Sequence, residues 1–399
     1  MLHMAELTAV SVETTKGDAS IAHEAILTML DLGAAKIGAV VASADELLGL
    51  ATMPVPRWPS ERPAYVELAH AVKGILADAE QMAGVKASRG AWIALSGTGM
   101  KYQIRRAMVR IRSQDGLVRG DDFARAVRNA SSQIREVVQC IPIVSYLDEI
   151  ELLEDPIGRY GQCLGVSVLL AELEAGVQED CLAMLAQSGL VARGFVAGSL
   201  AAACVLTAAE KEIGTVLIDL GATHSTFVIF ARGGPRYMGS VRYGGLSVTK
   251  DLAVAFGLPL HKAEELKIAS FGEQDGHLEG GTLFGKVITA RLAEILELLR
   301  SEIELSGWGD RIPGGYVLTG GGALAKGLTA YTAGLLGKPV RLGLSGIASA
   351  HGMMAGPAYS VLTGLAALVR EYGMDHNRGL AQKGGGWWKS KLPQRTSLQ

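Results

Sequence analysis

Short β-branched runs alternate along this 399-residue chain with longer stretches that have the apolar spacing of helices. Such alternation predicts an α/β fold. The predicted helices cover residues 63–84, 121–140, 170–188, 197–212, 247–256, 262–268 and 285–306. The runs at 91–96 and 108–111 are predicted strands.

The segment 285–306 has the clearest amphipathic pattern. Its apolar residues recur every three or four positions, which places them along one side of a helix. They are Leu292, Ile295, Leu296, Leu299 and Ile303. The pattern predicts a long helix with one side packed on a core.

The longest stretch without charge, 345–369, is long enough to span a bilayer. Its Ser, Gly, Ala and His residues and Pro357 make it only weakly apolar. It is therefore interpreted as a loop followed by a buried helix.

The charge composition excludes one class of function. Lys and Arg number 38 and Asp and Glu number 40, which leaves a net charge of −2. This balance excludes the strongly basic surface of a dedicated nucleic-acid binder, so no nucleic-acid partner is expected. A hydrophobic fraction of 49% with 51 glycines predicts a compact protein with many tight turns, with disorder only at the ends, including 1–20.

The cysteines and the N-terminus indicate a cytoplasmic protein. No CxxC pair or zinc-like spacing is present among Cys140, Cys163, Cys181 and Cys204, so free thiols in a reducing compartment are predicted. The first 20 residues lack the basic and apolar regions of a secretory signal.

An internal repeat is the strongest signal in the sequence. The pattern of residues 30–42 recurs at 218–231, and each copy has an Asp-x-Gly turn before a β-branched run. Asp31 and Asp219 head the two copies, 188 residues apart. This spacing predicts two similar domains that face each other across a cleft.

The Asp-x-Gly turns are candidates for phosphate binding. Glycine lets consecutive backbone N–H groups approach a phosphate closely. Asp31 and Asp219 could hold Mg²⁺ through water, and Lys36 could reach a phosphate as a point charge. The alternative is ordinary hairpin chemistry, against which the duplication argues.

Two further features would complete a nucleotide site. Gly320, Gly321 and Gly322 lie between a predicted strand and a predicted helix, where they would receive an adenosine or simply allow close packing. Glu264 and Lys267 share one side of a helix, where they would contact the nucleoside or form an exposed ion pair.

The segment 88–157 has the signals of an insert. It carries its own strand, hairpin and helix patterns. A cluster of arginines within it comprises Arg105, Arg106, Arg110, Arg112, Arg119, Arg125 and Arg128. They would bind an acidic partner or form a solvated face.

Together these motifs resemble FtsA, the actin-like protein of bacterial cell division, over about residues 30–372. The most specific part is the run Tyr-Gly-Gly-Leu-Ser-Val-Thr-Lys-Asp-Leu-Ala at 243–253, followed by Ala-Glu-Glu-Leu-Lys at 263–267. The resemblance implies an actin-like ATPase fold of the α/β class, with two lobes of mixed twisted sheets and an FtsA-type inserted subdomain in the first lobe.

The resemblance also implies how the chain is divided. The first lobe, subdomain 1A, would combine 21–87, 158–205 and 358–382, with the insert 1C at 88–157. Subdomain 2A would combine 206–240 and 311–357, subdomain 2B would be the helical 241–310, and 383–399 would be a linker and membrane-targeting tail.

The function implied is a cytoplasmic scaffold at the division septum. It would bind ATP or ADP with Mg²⁺, polymerise, tether FtsZ to the cytoplasmic face of the inner membrane and recruit later division proteins. The residues matched to the nucleotide are Asp31, Gly33, Lys36, Asp219, Gly221, Thr223, Glu264, Lys267, Gly320, Gly321 and Gly322. The acidic C-terminal tail of FtsZ would meet Arg291, Arg300 and Arg311 of the helical subdomain.

Departures from the family pattern concern the chemistry. Hydroxyl residues after the first Asp-x-Gly are replaced by Ala34 and Ala35, and the second turn, Gly-Gly-Gly-Thr in the family, is Gly-Ala-Thr-His at 221–224. The family's amide or carboxylate that orients the attacking water is absent from Ile-Pro-Ile-Val at 141–144. Hydrolysis is therefore predicted to be slow or absent.

The C-terminal tail has the composition of a membrane anchor. Trp387, Trp388 and Leu392 alternate with Lys389 and Lys391, a pattern that suits anionic headgroups. Pro393 limits any helix to about two turns, which predicts anchoring that depends on polymer avidity. The alternative is a disordered tail.

Two other functions remain open. An actin-fold small-molecule kinase would need a catalytic carboxylate, for which Asp148 and Glu149 are candidates by position. A pilus-assembly adaptor of related fold is the rival within the scaffold class.

Overall fold

The computed structural model describes residues 26–44, 46–55, 65–97, 99–132, 134, 136–152, 155–272, 281–349 and 352–372. The strands in these residues are β1 (Leu27–Leu32), β2 (Lys36–Ala42), β3 (Leu47–Pro54), β4 (Gly90–Leu95), β5 (Met100–Arg110), β6 (Val137–Leu147), β7 (Ile150–Leu152), β8 (Cys163–Leu173), β9 (Val191–Ala197), β10 (Thr215–Leu220), β11 (Ser225–Ala231), β12 (Gly234–Val241), β13 (Tyr316–Thr319), β14 (Val340–Leu342), β15 (Gly346–Ser349) and β16 (Gly352–Ala355). The helices are α1 (Tyr65–Ala83), α2 (Gly120–Ser131), α3 (Val177–Gln187), α4 (Gly198–Ala201), α5 (Ala208–Ile213), α6 (Gly245–Phe256), α7 (Leu260–Gly272), α8 (Leu283–Leu305), α9 (Leu328–Leu336) and α10 (Ser360–Tyr372).

The first lobe is built on a five-stranded mixed sheet in the order β3-β2-β1-β4-β9. β1 pairs antiparallel with β2 and parallel with β4, and all six of its residues are buried. Helices α1 and α10 pack on this sheet. A central strand that is covered on both faces is mostly apolar. This explains why β1 has only Thr28 and Asp31 as polar residues.

The second lobe repeats this arrangement in the order β12-β11-β10-β13-β14. β10 pairs antiparallel with β11 and parallel with β13, as β1 does with β2 and β4. Asp31 lies opposite Gly38 and Asp219 opposite Thr226, so both hairpins have the same register and loop length. The predicted duplication is confirmed as a duplication of structure.

The inserted unit is a four-stranded antiparallel sheet in the order β5-β8-β6-β7, with α2 packed on one face. Its strands correct the predicted limits of 88–157. β4 falls inside those limits but pairs in the first-lobe sheet, whereas β8 falls outside them and pairs with both β5 and β6. Non-local pairing decides membership of a sheet, and no local pattern records it.

The basic cluster of the insert is not a uniform solvated face. Arg125 donates to Asp122 at 2.8 Å, and both side chains are largely buried. The guanidinium of Arg106 lies 3.9 Å from the ring centroid of Tyr146. At least these two arginines therefore take part in packing within the insert.

The helical segment of the second lobe follows the prediction. α6 and α8 pack together, and α6 packs on α7. The apolar side of α8 is buried, with Leu292, Ile295, Leu296, Leu299 and Ile303 at most 4% exposed. The Thr282 hydroxyl accepts a hydrogen bond from Gly285 N at 3.1 Å and so caps the start of the helix.

Three predicted helices are wrong in part. The segment 121–140 is helical only to Ser131 and then becomes β6, and 170–188 starts as the end of β8 before α3. The segment 197–212 is broken into α4, a 3₁₀ turn (Ala202–Val205) and α5, because Thr207 caps a new helix by accepting from Glu210 N. Short apolar runs fit a buried strand as well as a helix.

The weakly apolar segment 345–369 contains the hairpin β15–β16 and then α10, whose Leu365 and Ala366 are fully buried. The predicted buried helix is confirmed, and the predicted loop is largely a hairpin. Among the described residues, no helix combines the length and apolar character needed to cross a membrane. All four cysteines are free thiols, as predicted.

Candidate functional site

A cleft of about 510 Å³ opens between the two lobes, and the turns after β1 and β10 line it together. This volume lies in the range of small-molecule sites. All eleven residues that the resemblance matched to a nucleotide line this cleft: Asp31, Gly33, Lys36, Asp219, Gly221, Thr223, Glu264, Lys267, Gly320, Gly321 and Gly322.

The two turns require glycine for the same reason. A β-carbon at Gly33 would lie 2.6 Å from the carbonyl oxygen of Lys36, and one at Gly221 would lie 2.6 Å from that of His224. No side chain fits at such a distance. Each strand therefore turns back tightly, with its aspartate at the head of the turn.

The third glycine loop touches the second turn directly. Gly320 has a φ of +85°, and a β-carbon there would overlap the carboxylate of Asp219. Gly320 N donates to Pro357 O at 3.0 Å, which ties the loop to the segment before α10. A β-carbon at Gly321, by contrast, would meet open space, so the loop presents a bare backbone to the cleft.

Three charged side chains stand in the centre of the cleft. Burial raises the pKa of Asp31 to about 7, against the lowering effect of Lys36, and Asp219 raises it further. Burial likewise raises the pKa of Asp219 to about 6, opposed by Lys36. The pKa of Lys36 is lowered by burial, although both aspartates oppose this.

Lys36 is held in place by two residues that precede α10. Its Nζ donates to Ala358 O at 2.7 Å and lies 3.8 Å from the ring centroid of Tyr359. The ammonium group is thus positioned beside both carboxylates without a close ion pair to either.

The two carboxylates of the cleft suit Mg²⁺ only if a bound ligand adds oxygen atoms of its own. Carboxylate oxygens are the donors that Mg²⁺ prefers, usually with water and phosphate. Within the described ranges, no group of three or more His, Cys, Asp or Glu side chains could hold a metal ion. Asp31 and Asp219 therefore fit a cation that arrives with its own phosphate oxygens.

Glu264 and Lys267 form a buried ion pair on the wall of the cleft, at 2.6 Å. Lys267 is only 5% exposed, and its Nζ also donates to Gly245 O and Thr249 Oγ1, each at 3.0 Å. The alternative of an exposed pair is wrong. The pair joins α7 to the start of α6 beside the second turn.

The family model described as "Cell division protein FtsA" matches residues 216–364. The cell division protein FtsA of Pseudomonas aeruginosa is 27% identical over 379 residues, which cover 87% of this chain and 90% of the relative. That of Borreliella burgdorferi is 27% identical over 307 residues, 70% of this chain and 74% of the relative.

The chain is thus similar to FtsA proteins over most of its length. A solved structure, the PilM–PilN type IV pilus biogenesis complex, aligns with a TM-score of 0.63 at 21% identity, over 86% of this chain and 98% of that chain. This chain has the actin-like fold, as predicted.

Two residues that line the cleft, Ser96 and His224, were not predicted as site residues. The Ser96 hydroxyl, just after β4, is buried with no partner among the described residues. His224 lies next to Gly97 of the other lobe, since a β-carbon there would lie 3.4 Å from His224 Nδ1. The internal repeat aligns His224 with Lys36, and this alignment could have predicted His224 as a site residue.

Other candidate residues lie outside the cleft. None of the described cleft-lining residues comes from 141–144. Asp148 and Glu149 form the β6–β7 turn with positive φ, and the Asp148 carboxylate accepts from Cys163 N at 2.8 Å. Neither lines the cleft, so their position does not support a role as the catalytic carboxylate of a kinase.

The three arginines suggested for FtsZ have partners within the chain. Arg291 forms an ion pair with Asp251 at 2.5 Å, and Arg300 with Glu297 at 2.6 Å. The guanidinium of Arg311 lies 5.7 Å from the ring of Trp308. An acidic ligand would have to compete with these contacts. Trp387, Trp388, Lys389, Lys391 and Leu392 lie outside the described residues.

Proposed function

We propose that this chain binds ATP or ADP with Mg²⁺ in the interlobe cleft and acts as a nucleotide-dependent scaffold of bacterial cell division. One observation carries the nucleotide proposal. Two turns of the same register, each with an obligatory glycine and a leading aspartate, line one cleft from opposite lobes. Backbone N–H groups at such turns bind phosphate.

The charge distribution supports a phosphate with its cation between the turns. Lys36 supplies the ammonium group that a phosphate needs, and the two aspartates supply carboxylates for Mg²⁺. Such a cation would keep both carboxylates ionised, which offsets the burial that raises their pKa values. The charge of these two buried carboxyl groups is costly by itself, and a bound Mg²⁺ would compensate it.

The nucleoside would lie against the glycine loop. Gly321 and Gly322 leave bare backbone there, and the buried Glu264–Lys267 pair forms the adjacent wall. A ribose hydroxyl is matched by a carboxylate that accepts hydrogen bonds. Glu264 is the carboxylate that this wall offers.

Hydrolysis is proposed to be slow or absent. The described residues that line the cleft include three carboxylates, Asp31, Asp219 and Glu264. The first two are assigned to Mg²⁺ and the third is paired with Lys267. Phosphoryl transfer needs a positioned water, and no carboxylate remains to position it.

The scaffold role draws on the similarity to FtsA. In this role the chain polymerises, binds the C-terminal tail of FtsZ through its helical subdomain and recruits later division proteins. The C-terminal tail holds it on anionic lipid at the cytoplasmic face of the inner membrane, at the division septum.

Nucleotide binding is tested by filling the glycine loop. Gly321→Leu adds a side chain where only open space exists, so the fold is retained and the nucleoside position is blocked. Gly334→Leu on α9 is the matched control in the same lobe, since its β-carbon also meets open space. Calorimetric titration with ADP and Mg²⁺ should show binding to the unmodified chain and to Gly334→Leu only. No heat from the unmodified chain would refute nucleotide binding.

The division role is tested by sedimentation with purified FtsZ polymers. We expect the chain to pellet with FtsZ and with anionic vesicles, and the vesicle binding to be lost in Trp387→Ala/Trp388→Ala. Pelleting with a pilus-assembly inner-membrane peptide and not with FtsZ would favour the pilus adaptor instead.

A further inference from the structure

The duplicated hairpins place His224 in the position that Lys36 occupies in the first turn. Each residue follows the leading aspartate by five positions. In each turn, a β-carbon added to the glycine would lie 2.6 Å from the carbonyl oxygen of this residue. The two side chains therefore start from equivalent points on opposite sides of one cleft.

The imidazole of His224 points into the space between the lobes. Its Nδ1 lies 3.1 Å from the hydroxyl of Thr223. A β-carbon on Gly97 of the first lobe would be 3.4 Å from the same ring. The ring thus lies between the second turn and the end of β4, next to the cleft wall that carries Ser96.

We propose, on the basis of the nucleotide binding proposed above, that His224 binds a phosphate of the nucleotide as an imidazolium, so that the ring takes up a proton when the ligand binds. The second turn reads Gly-Ala-Thr-His, and its histidine stands where the first turn has Lys36. Lys36 and His224 would then hold the phosphates from both lobes.

The charged groups around the ring determine its protonation. Arg242, after β12, and Glu174, after β8, act on it from the two lobes and form an ion pair with each other at 3.8 Å. Lys101 also pairs with Glu174, at 3.6 Å. Asp219 heads the same turn, and Asp31 and Lys36 lie in the opposite turn.

These surroundings favour the neutral imidazole. Burial lowers the pKa of His224 below its usual 6.5, and Arg242 lowers it further, against the smaller raising effect of Glu174. A phosphate anion beside the ring favours the charged form and raises this pKa. The imidazole therefore holds more of its proton in the bound state, and its contribution to binding grows as pH falls.

Calorimetry measures this proton uptake directly. ADP and Mg²⁺ are titrated into the full chain at pH 7 in two buffers of different ionisation enthalpy, and the difference in heat gives the protons exchanged. Because Asp31 and Asp219 also titrate in this range, the informative quantity is the difference between the unmodified chain and His224→Asn. We expect the unmodified chain to take up more protons, and His261→Asn, an exposed histidine of α7, to behave like the unmodified chain.

A second variant separates charge from shape. His224→Lys supplies an ammonium group in place of the imidazole, so we expect it to bind ADP more tightly than His224→Asn at pH 8. It should also lose the His224-dependent part of the pH slope, which is at most about tenfold in affinity per pH unit. Equal affinity of the lysine and asparagine variants would overturn the cationic role.

NMR of the unmodified chain provides a measurement that does not depend on any variant. Among the resonances of the eight histidines, one imidazole should rise in pKa by at least about one unit when ADP is present. Unchanged histidine pKa values together with clear ADP binding would refute this inference and leave the proposed function intact. If the unmodified chain binds no ADP at any pH, the proposed function itself is refuted.

Discussion

Asp31 and Asp219 face one cleft from the ends of equivalent strands, although 188 residues separate them in the chain. Both carboxylates are buried, and Lys36 lies close enough to oppose the rise in their pKa values. Both lobes therefore contribute charged side chains to the cleft. Neither hairpin alone would bring two carboxylates and an ammonium group to one point.

Asp219→Asn should separate nucleotide binding from its dependence on Mg²⁺. The substitution keeps the shape of the side chain and removes the charge that holds the cation. We expect the affinity for ADP with Mg²⁺ to fall by about 10- to 100-fold, and the difference between Mg²⁺ and EDTA to disappear. Calorimetry with and without Mg²⁺ measures both, and Asp78→Asn on the exposed side of α1 is the control. A Mg²⁺ dependence that persists in Asp219→Asn would contradict the assignment.

Gly320→Ala should destabilise the protein more than Gly321→Ala does. The first position combines a φ of +85° with an overlap on the Asp219 carboxylate, whereas the second has open space. We expect Gly320→Ala to lower the free energy of unfolding by about 1–3 kcal/mol and to abolish ADP binding. Gly321→Ala should stay within about 0.5 kcal/mol of the unmodified chain. Urea unfolding of both variants makes the comparison, and similar effects would argue against the geometry of this loop.

Lys267→Met should be rescued by a second substitution. Removing the ammonium group leaves the Glu264 carboxylate in a buried position with Thr249 as its remaining partner. An uncompensated buried charge costs about 3–5 kcal/mol, so the single variant should be strongly destabilised. In Lys267→Met/Glu264→Gln the charge is gone, and most of the loss should be recovered. Urea unfolding of the four species of this cycle measures the coupling, and additive effects would contradict a direct pair.

Glu210 should contribute stability that disappears in acid. The side chain of Arg341 donates to its two oxygens at 2.5 and 2.6 Å, and hydrogen bonds from Thr207 add to this. The Arg341 hydrogen bond is the main cause that lowers the pKa of Glu210 to about 2. Since the folded-state pKa is below the usual value of 4.5, the stabilisation is complete above pH 4.5 and is lost as pH falls towards 2.

Glu210→Gln should therefore destabilise the protein at pH 7 by about 1 kcal/mol, a value discounted because the pair is partly exposed. Below about pH 2 the variant and the unmodified chain should have equal free energies of unfolding. Glu179→Gln, an exposed acidic residue of α3, is the control. A difference that stays constant from pH 7 to pH 3 would show that the pair is not responsible.

Much of the fold follows from local patterns. The apolar spacing of Leu292 to Ile303 predicts α8 because its side chains must share one face to be buried. The repeat around Asp31 and Asp219 predicts two equivalent hairpins, since the same residues in the same order meet the same steric limits. Long periodic segments are thus readable from sequence alone.

The failures come from short apolar runs. Val137 to Ile141 and Leu169 to Leu173 fit a helix by spacing, yet they are strands because they pair with each other across the insert sheet. The limits of the insert shift for the same reason, since β4 pairs with β1 and β8 with β5. Pairing between strands far apart in sequence leaves no periodic signal.

The sequence by itself determined the chemistry of each turn: an aspartate, a glycine that tolerates no β-carbon, and Lys36 or His224 at the matching position. Only the tertiary structure decided that the two turns face each other, that Glu264 and Lys267 are buried as a pair, and that Arg291 and Arg300 are already neutralised. Local steric limits act between neighbours in the chain, whereas burial and charge pairing depend on which distant segments pack together.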